Sequence, residues 1–108
     1  METISFEDFV KLEIRIGKIL SAEKVEDSDK LLRLEVDFGE QKRQIIAGIG
    51  KIYAPEALIG KECPFAYNLA PRVLKGLESQ GMILCPSDAS GPALLHPDRE
   101  IPPGSLVK

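Results

Sequence analysis

The chain has 108 residues, of which 44% are hydrophobic and 29% charged. That composition suits one soluble globular domain and excludes a disordered polymer. No apolar run approaches the ~20 residues a membrane-crossing helix needs. The acidic start "METISFEDFVKLE" has no signal-peptide core, so a cytoplasmic location is expected and no membrane partner. The net charge of −3 argues against nucleic-acid binding by bulk attraction. The charge is uneven, however: residues 1–29 carry −4, residues 30–82 carry +2 and residues 83–108 carry −1.

Ser5 opens "SFEDFVKL" with Asp8 three residues on, a capping-box spacing that predicts a short helix over about 5–11. Phe6 and Phe9 fall at i, i+3 and are expected to face the body of the domain. In "KLEIRIGKILSAEKV", Leu12, Ile14 and Ile16 alternate with Glu13 and Arg15, the period of a half-buried strand. Gly17 breaks that alternation, as a glycine does at a bulge or barrel bend. "EDSDK" is a turn. "LLRLEVDFG" is a second strand with Leu32, Leu34, Val36 and Phe38 inward, closed by a hairpin turn at Gly39-Glu40. "QIIAGIG" is a third strand, mostly buried. "APEALIG" carries a proline suited to a first helical turn and a glycine suited to a stop, so a short helix is expected. "KECPFAY" is a fourth strand, with Pro64 at an edge or bulge. "GMILCP" is a fifth, and an irregular tail follows over about 87–108.

Strand, strand, strand, short helix, strand, strand is the order of an all-β OB-fold, a five-stranded Greek-key barrel with short helices. A short-strand domain of another topology uses the same pieces and stays open as the alternative. No linker or internal repeat interrupts residues 1–108, so one domain is expected.

Catalytic and metal readings find few residues to carry them. Cys63 and Cys85 lack a Cys-x-x-Cys spacing, and His96 is the only histidine. They read as two buried thiols and a surface or packing imidazole, with no metal and no cofactor. "GIGK" lacks the spacer and the Ser/Thr of a phosphate loop. Binding has more support. Lys18, Lys30, Arg33, Lys42, Arg43, Arg72 and Lys75 are candidate groove charges, each alternatively a solvated strand-face charge. Tyr53 and Tyr67 either stack on a base or pack in the core with a tethered hydroxyl. With so few aromatics, recognition by shape and backbone fits better than stacking.

The segment Asn68 to Leu84, "NLAPRVLKGLESQGMIL", reads as a loop interrupted by Pro71, Gly76 and Gly81 and rich in hydrogen-bonding side chains. On its residues alone it either holds a ligand or closes the barrel.

"FEDFVKLEIRIGKIL", "SDKLLRLEVDFGE", "RQIIAGIGKIYAPEALIGK" and this segment together resemble the tRNA-binding domain family. That family includes stand-alone structure-specific tRNA-binding proteins and the C-terminal domain of many methionyl-tRNA synthetases. "ESQGM", with "NL.PR" before it, is the most specific piece. The resemblance implies an OB-fold that binds tRNA by shape, forms a homodimer, assists an aminoacyl-tRNA synthetase and has no enzymatic activity of its own. Carried over by motif, the implied tRNA contacts are Asn68, Arg72, Ser79 and Met82, then Lys75 and Gln80, then Lys30 and Arg43. Arg72 suits a phosphate, and Asn68, Ser79 and Gln80 suit sugar or base edges. Met82 either packs on an exposed ribose or belongs to the core. Val73 stands where many relatives have a second basic residue, and "VEDSD" where many have "HPNAD"; both departures reduce positive charge. A dimeric peptide-binding secretion chaperone resembles the same family and is the alternative, although its counterpart of the loop lacks "ESQGM". The expected dimer interface uses the N-terminal helix region and the tail around "LLHPDREIPPG".

Overall fold

The computed structural model describes residues 1–108. In chain order it has α1 (Phe6–Phe9), β1 (Ile14–Lys24), β2 (Leu32–Asp37), β3 (Lys42–Ala47), a 3-10 turn (Pro55–Ala57) and β4 (Glu62–Ala66). There follow β5 (Arg72–Leu74), β6 (Leu77–Ser79), β7 (Met82–Ile83), β8 (Ser87–Asp88), β9 (Gly91–Pro92) and β10 (Leu106–Val107). The main sheet is antiparallel in the order β3-β2-β1-β4-β7, with β10 alongside the start of β1. It curls into the half-barrel of an OB-like fold. The expected all-β class and the strand order therefore hold.

Alternation produces the core. Leu32, Leu34 and Val36 of β2 are buried while Arg33 and Glu35 between them are exposed. Ile19, Ile45, Leu58 and Phe65 join them from β1, β3, the 3-10 turn and β4. Phe38 meets Phe65 edge-on, with ring centroids 5.3 Å apart.

Gly17 is required by space. A Cβ there would press on Val36 Cγ1 and lie 2.7 Å from Phe38 Cε1. The β1 bulge lies further along, where the register with β2 shifts between Ile19 and Ser21. That shift lets one long strand pair with β4 at its start and β2 at its end. Pro64 sits within β4, opposite Ile16. Both backbone groups of Ile16 bond elsewhere, its N–H donating to Ser105 O and its carbonyl accepting from Gly104 N. Ile16–Pro64 is thus a non-hydrogen-bonded pair, so the proline leaves the ladder to β1 intact, and its missing N–H faces the short β7, where a single bond towards Leu84 is forgone.

Three expectations change. α1 is capped as expected, Ser5 Oγ accepting from Asp8 N. It is one turn long, though, and Phe6 and Phe9 are 74% and 39% exposed instead of facing the body. Asn68 anchors the segment that follows it, through Lys11 and Glu13, as described below. The tail contributes three short strands where irregular structure is expected, because its backbone finds partners in β8–β9 and in β1. The segment 72–79 is a β-hairpin, not a loop.

Candidate nucleic-acid interface

The hairpin β5–β6 follows from its own residues. Lys75 and Gly76 both take positive φ, 51° and 77°, the geometry of a two-residue type I′ turn. Glycine adopts it without strain, and the lysine is thereby projected at the tip. Leu74 and Leu77 alternate inward onto Val25, Leu31 and Ile46. Val73 and Glu78, opposite each other, point outward. Val25 and Leu31 bracket the β1–β2 turn, so the hairpin and the turn carrying Lys30 share one end of the barrel.

The hairpin docks on the free edge of β3 largely through side chains. Gln44 N donates to Gln80 Oε1 at 3.0 Å, and Gln80 N donates to Gln44 O at 2.8 Å. Gln44 Nε2 donates to Glu78 O at 2.8 Å. Ile46 N donates to Ser79 Oγ at 2.9 Å, and that hydroxyl donates onward to Gly81 O at 2.9 Å. Amides that an edge strand would leave bare are thus satisfied. At Gly81 a Cβ would lie 2.8 Å from the Ala66 carbonyl, and φ is +142°, so only glycine lets the chain pass there.

Arg43 braces the same junction. Its Nη1 donates to Tyr67 O at 2.5 Å and Gln80 O at 3.2 Å. Its guanidinium lies 3.5 Å from the Tyr67 ring centroid. Asn68 ties the loop to the N-terminal segment: Oδ1 accepts from Glu13 N and Nδ2 donates to Lys11 O, both at 2.7 Å.

The eight residues carried over by motif therefore divide. Asn68, Arg43, Ser79 and Gln80 use polar groups to hold the framework. Ser79 is 3% exposed with its hydroxyl engaged on both sides, accepting from Ile46 N and donating to Gly81 O. Arg72, Lys75 and Lys30 are exposed and enter no ion pair. Met82 is 42% exposed on β7, which favours surface contact over core packing. Three shallow grooves of about 380, 320 and 290 Å³ run from the hairpin across β2 and β3. Arg33 links the first to the second and Arg43 the second to the third, with Lys75 at one end and Asn68 at the other. Arg33 is ion-paired with Glu23, and Glu35 also lines the path, so its cations are interleaved with carboxylates.

Lys18 lies elsewhere, in a depression shared with Lys61, His96 and Arg99. Tyr53 is a packing residue, its hydroxyl accepting from Leu94 N. Tyr67 serves as the floor under Arg43. Gln44 is a framework residue that sequence reasoning misses. Its partners lie more than thirty positions away, and nothing local marks it.

Fold and surface together give the architecture of a small binding domain: an OB-like barrel with a hairpin clamped to a sheet edge. Residues 14–106 match the family model described as "Putative tRNA binding domain", and the chain belongs to this family. It is 54% identical over 108 residues to a methionine–tRNA ligase of Porphyromonas gingivalis, covering 99% of this chain and 16% of that protein. It is 50% identical over 107 residues to the methionine–tRNA ligase of Caldanaerobacter subterraneus subsp. tengcongensis, covering 99% of this chain and 17% of that protein. The chain thus spans about a sixth of the length of these relatives. Among solved structures, a methionyl-tRNA-synthetase-related protein of Pyrococcus horikoshii superposes with a TM-score of 0.94 at 37% identity over the whole of both chains. The chaperone CsaA of Bacillus anthracis superposes with a TM-score of 0.90 at 36% identity, over 99% of this chain and all of that one.

Proposed function

We propose that this chain is a non-catalytic tRNA-binding module that recognises folded tRNA by shape and backbone and assists a methionyl-type aminoacyl-tRNA synthetase in the cytoplasm. The observation that carries this reading is the union of family and geometry: the family's signature segment forms a braced hairpin presenting Arg72 and Lys75. Arg72 forks onto phosphate, and Lys75 adds a point charge at the tip. Lys30 extends the contact from the adjoining turn, and Met82 offers an apolar surface for a ribose or base. Asn68, Arg43, Ser79 and Gln80 fix the hairpin in register, so little order is lost on binding. As part of a synthetase or as its subunit, the module raises the local tRNA concentration near the catalytic centre. A homodimer doubles the phosphate contacts of each chain. The exposed apolar side chains of Ile4, Phe6, Phe9 and Val10, with Leu95 in "LLHPDREIPPG", support such an interface at the N-terminal helix region and the tail.

The test is binding to intact tRNA, a tRNA minihelix and single-stranded RNA, each at two salt concentrations. Intact tRNA should bind tightest, and affinity should fall as salt rises. Arg72→Ala and Lys75→Ala should each weaken binding and lower the log–log salt slope by about 0.7–0.9. Equal or absent binding of all three RNAs would overturn the reading. The likeness to the chaperone CsaA favours a second one, peptide binding on the same face. Displacement of tRNA by an unfolded peptide separates the two.

A further inference from the structure

Two thiols take no part in the recognition surface. Cys63 is fully buried on the inner face of β4, beside Phe65. Cys85, just beyond β7, packs against the same core and is partly exposed. Both are free. The strand register aligns them. Phe65 pairs with Ile83 and Ala66 with Met82. Leu84 N then donates to Pro64 O at 3.1 Å, which carries the same alignment one step further. The next opposed pair in that register is Cys63 and Cys85. Phe65 and Ile83 both join the core, and side chains repeat every second residue, so both thiols lie on that inner face. Pro64–Leu84 occupies the hydrogen-bonding position. Cys63–Cys85 therefore falls at a non-hydrogen-bonded position, where opposed Cα atoms approach to ~4.5 Å. Disulfides bridge Cα separations of ~4.4–6.8 Å.

We propose that Cys63 and Cys85 form a dithiol modification site, oxidised by small-molecule disulfides of the glutathione class to a cross-strand disulfide that fastens β7 to β4 beneath the recognition hairpin. The more exposed Cys85 loses its proton, and its thiolate attacks one sulfur of the small disulfide. A mixed disulfide forms and the first small thiolate leaves. Cys63 then loses its proton and attacks the Cys85 sulfur, expelling the second small thiolate. Two cysteines are oxidised by two electrons, one small disulfide is reduced to two thiols, and the two cysteine protons end on them. The closed loop encloses Asn68, the hairpin and the Ser79–Gly81 closure, so the bond restrains the whole recognition segment.

The environment sets the rate. Burial, then Cys85 and Glu62, push the Cys63 thiol up to about 11, against the opposing pull of Lys61. Burial raises Cys85 as well. His96 supplies no base. Its Nδ1 lies 2.8 Å from the Glu62 carbonyl, which can only accept, so Nδ1 bears the proton and donates it there. The same Nδ1 is 3.9 Å from Cys63 Sγ and presents no lone pair to the thiol. The thiolate is the nucleophile, so oxidation is slow at neutral pH and accelerates in alkali.

The experiment incubates the folded chain with oxidised glutathione at pH 7 and pH 9, traps free thiols by alkylation and maps the products by mass. Cys63→Ala and Cys85→Ser are treated in parallel. The expected product is a monomeric chain with a Cys63–Cys85 link, formed roughly tenfold faster or more at pH 9. Its melting temperature should rise by about 10 °C. Cys63→Ala should halt at a mixed disulfide on Cys85, and Cys85→Ser should not react. The proposal is overturned if the unaltered chain stops at that mixed disulfide, links between chains through Cys85, or oxidises only when urea has unfolded it. A lower melting temperature in the linked form would equally overturn the fastening role. If Cys63→Ala does not fold, the link map of the unaltered chain decides alone.

Discussion

Ser79→Ala removes one oxygen and tests the closure of the barrel. The hydroxyl accepts from the Ile46 amide and donates to the Gly81 carbonyl, both at 2.9 Å, in a residue that is 3% exposed. Ile46 is itself buried at 5% exposure, so water does not easily replace the acceptor. An unsatisfied buried donor costs about 1–3 kcal/mol, and the second hydrogen bond contributes about 0.5–1.5 kcal/mol net. The loss expected on folding is on the order of 2–3 kcal/mol, a large share of the ~5–15 kcal/mol that holds a domain together. Urea unfolding followed by circular dichroism should show a midpoint lower by roughly 1 M or more. Amide exchange should rise at Ile46 and in the hairpin before it rises in β1 and β2, because the hairpin loses its latch while the sheet stays intact. Weaker tRNA binding should follow, with the salt slope unchanged, since no phosphate contact is removed. A midpoint within about 0.3 M of the parent, with Ile46 still protected, would refute the latch; for a typical slope that corresponds to less than ~0.5 kcal/mol.

Gly17→Ala should destabilise the domain by about 1–3 kcal/mol in the same urea assay, because its methyl has to displace Val36 and Phe38 from a filled core. Alkaline pH should weaken the fold through Cys63, whose pKa rises from 9.0 to about 11 on folding, chiefly by burial. A folded state that binds this proton more tightly keeps the full stabilisation below pH 9 and loses it as pH climbs towards 11. The loss is on the order of 2 kcal/mol, and the difference between the parent and Cys63→Ala across that range should isolate it. Phe6→Ser together with Phe9→Ser should shift sedimentation at micromolar concentration from dimer to monomer while leaving the unfolding free energy of the single chain, measured at concentrations too low for association, within about 0.5 kcal/mol, since both rings are exposed in the single chain.

Much of this protein was legible in the chain. The period of two over residues 32–38 placed Leu32, Leu34 and Val36 inside, as observed, because a strand with one buried face allows no other assignment. Ser5 and Asp8 announced the capped start of α1, and Pro55 and Gly60 bounded the 3-10 turn, since caps and punctuation act within a few residues. The hairpin β5–β6 escaped the same reading. Its two-residue turn uses Lys75 in a left-handed conformation rather than the usual asparagine or aspartate, so the local signal was weak. The inward direction assigned to Phe6 and Phe9 failed because a single helical turn has no neighbour to pack against, and periodicity alone does not provide one.

The roles of the polar residues in and around segment 68–84 lay beyond any local rule. Arg72, Arg43, Ser79 and Gln80 carry the same kinds of polar group and look equally fit to touch a nucleic acid. What separates them is the bare edge of β3, which comes against residues 78–81 only when the sheet curls: it takes up Ser79 and Gln80, its own Arg43 turns to the Tyr67 and Gln80 carbonyls, and Arg72 and Lys75 are left outside. Alternation, caps and turns are properties of neighbouring residues, so the sequence alone determined the first four strands and the inward face of β2, whereas the need for glycine at position 17 comes from Val36 and Phe38 across the sheet and not from the bulge its place in the strand suggested. Hydrogen-bond satisfaction at a sheet edge is a property of residues brought together from distant parts of the chain. Which polar side chains support the hairpin, and which remain available to a ligand, was therefore decided only by the tertiary structure.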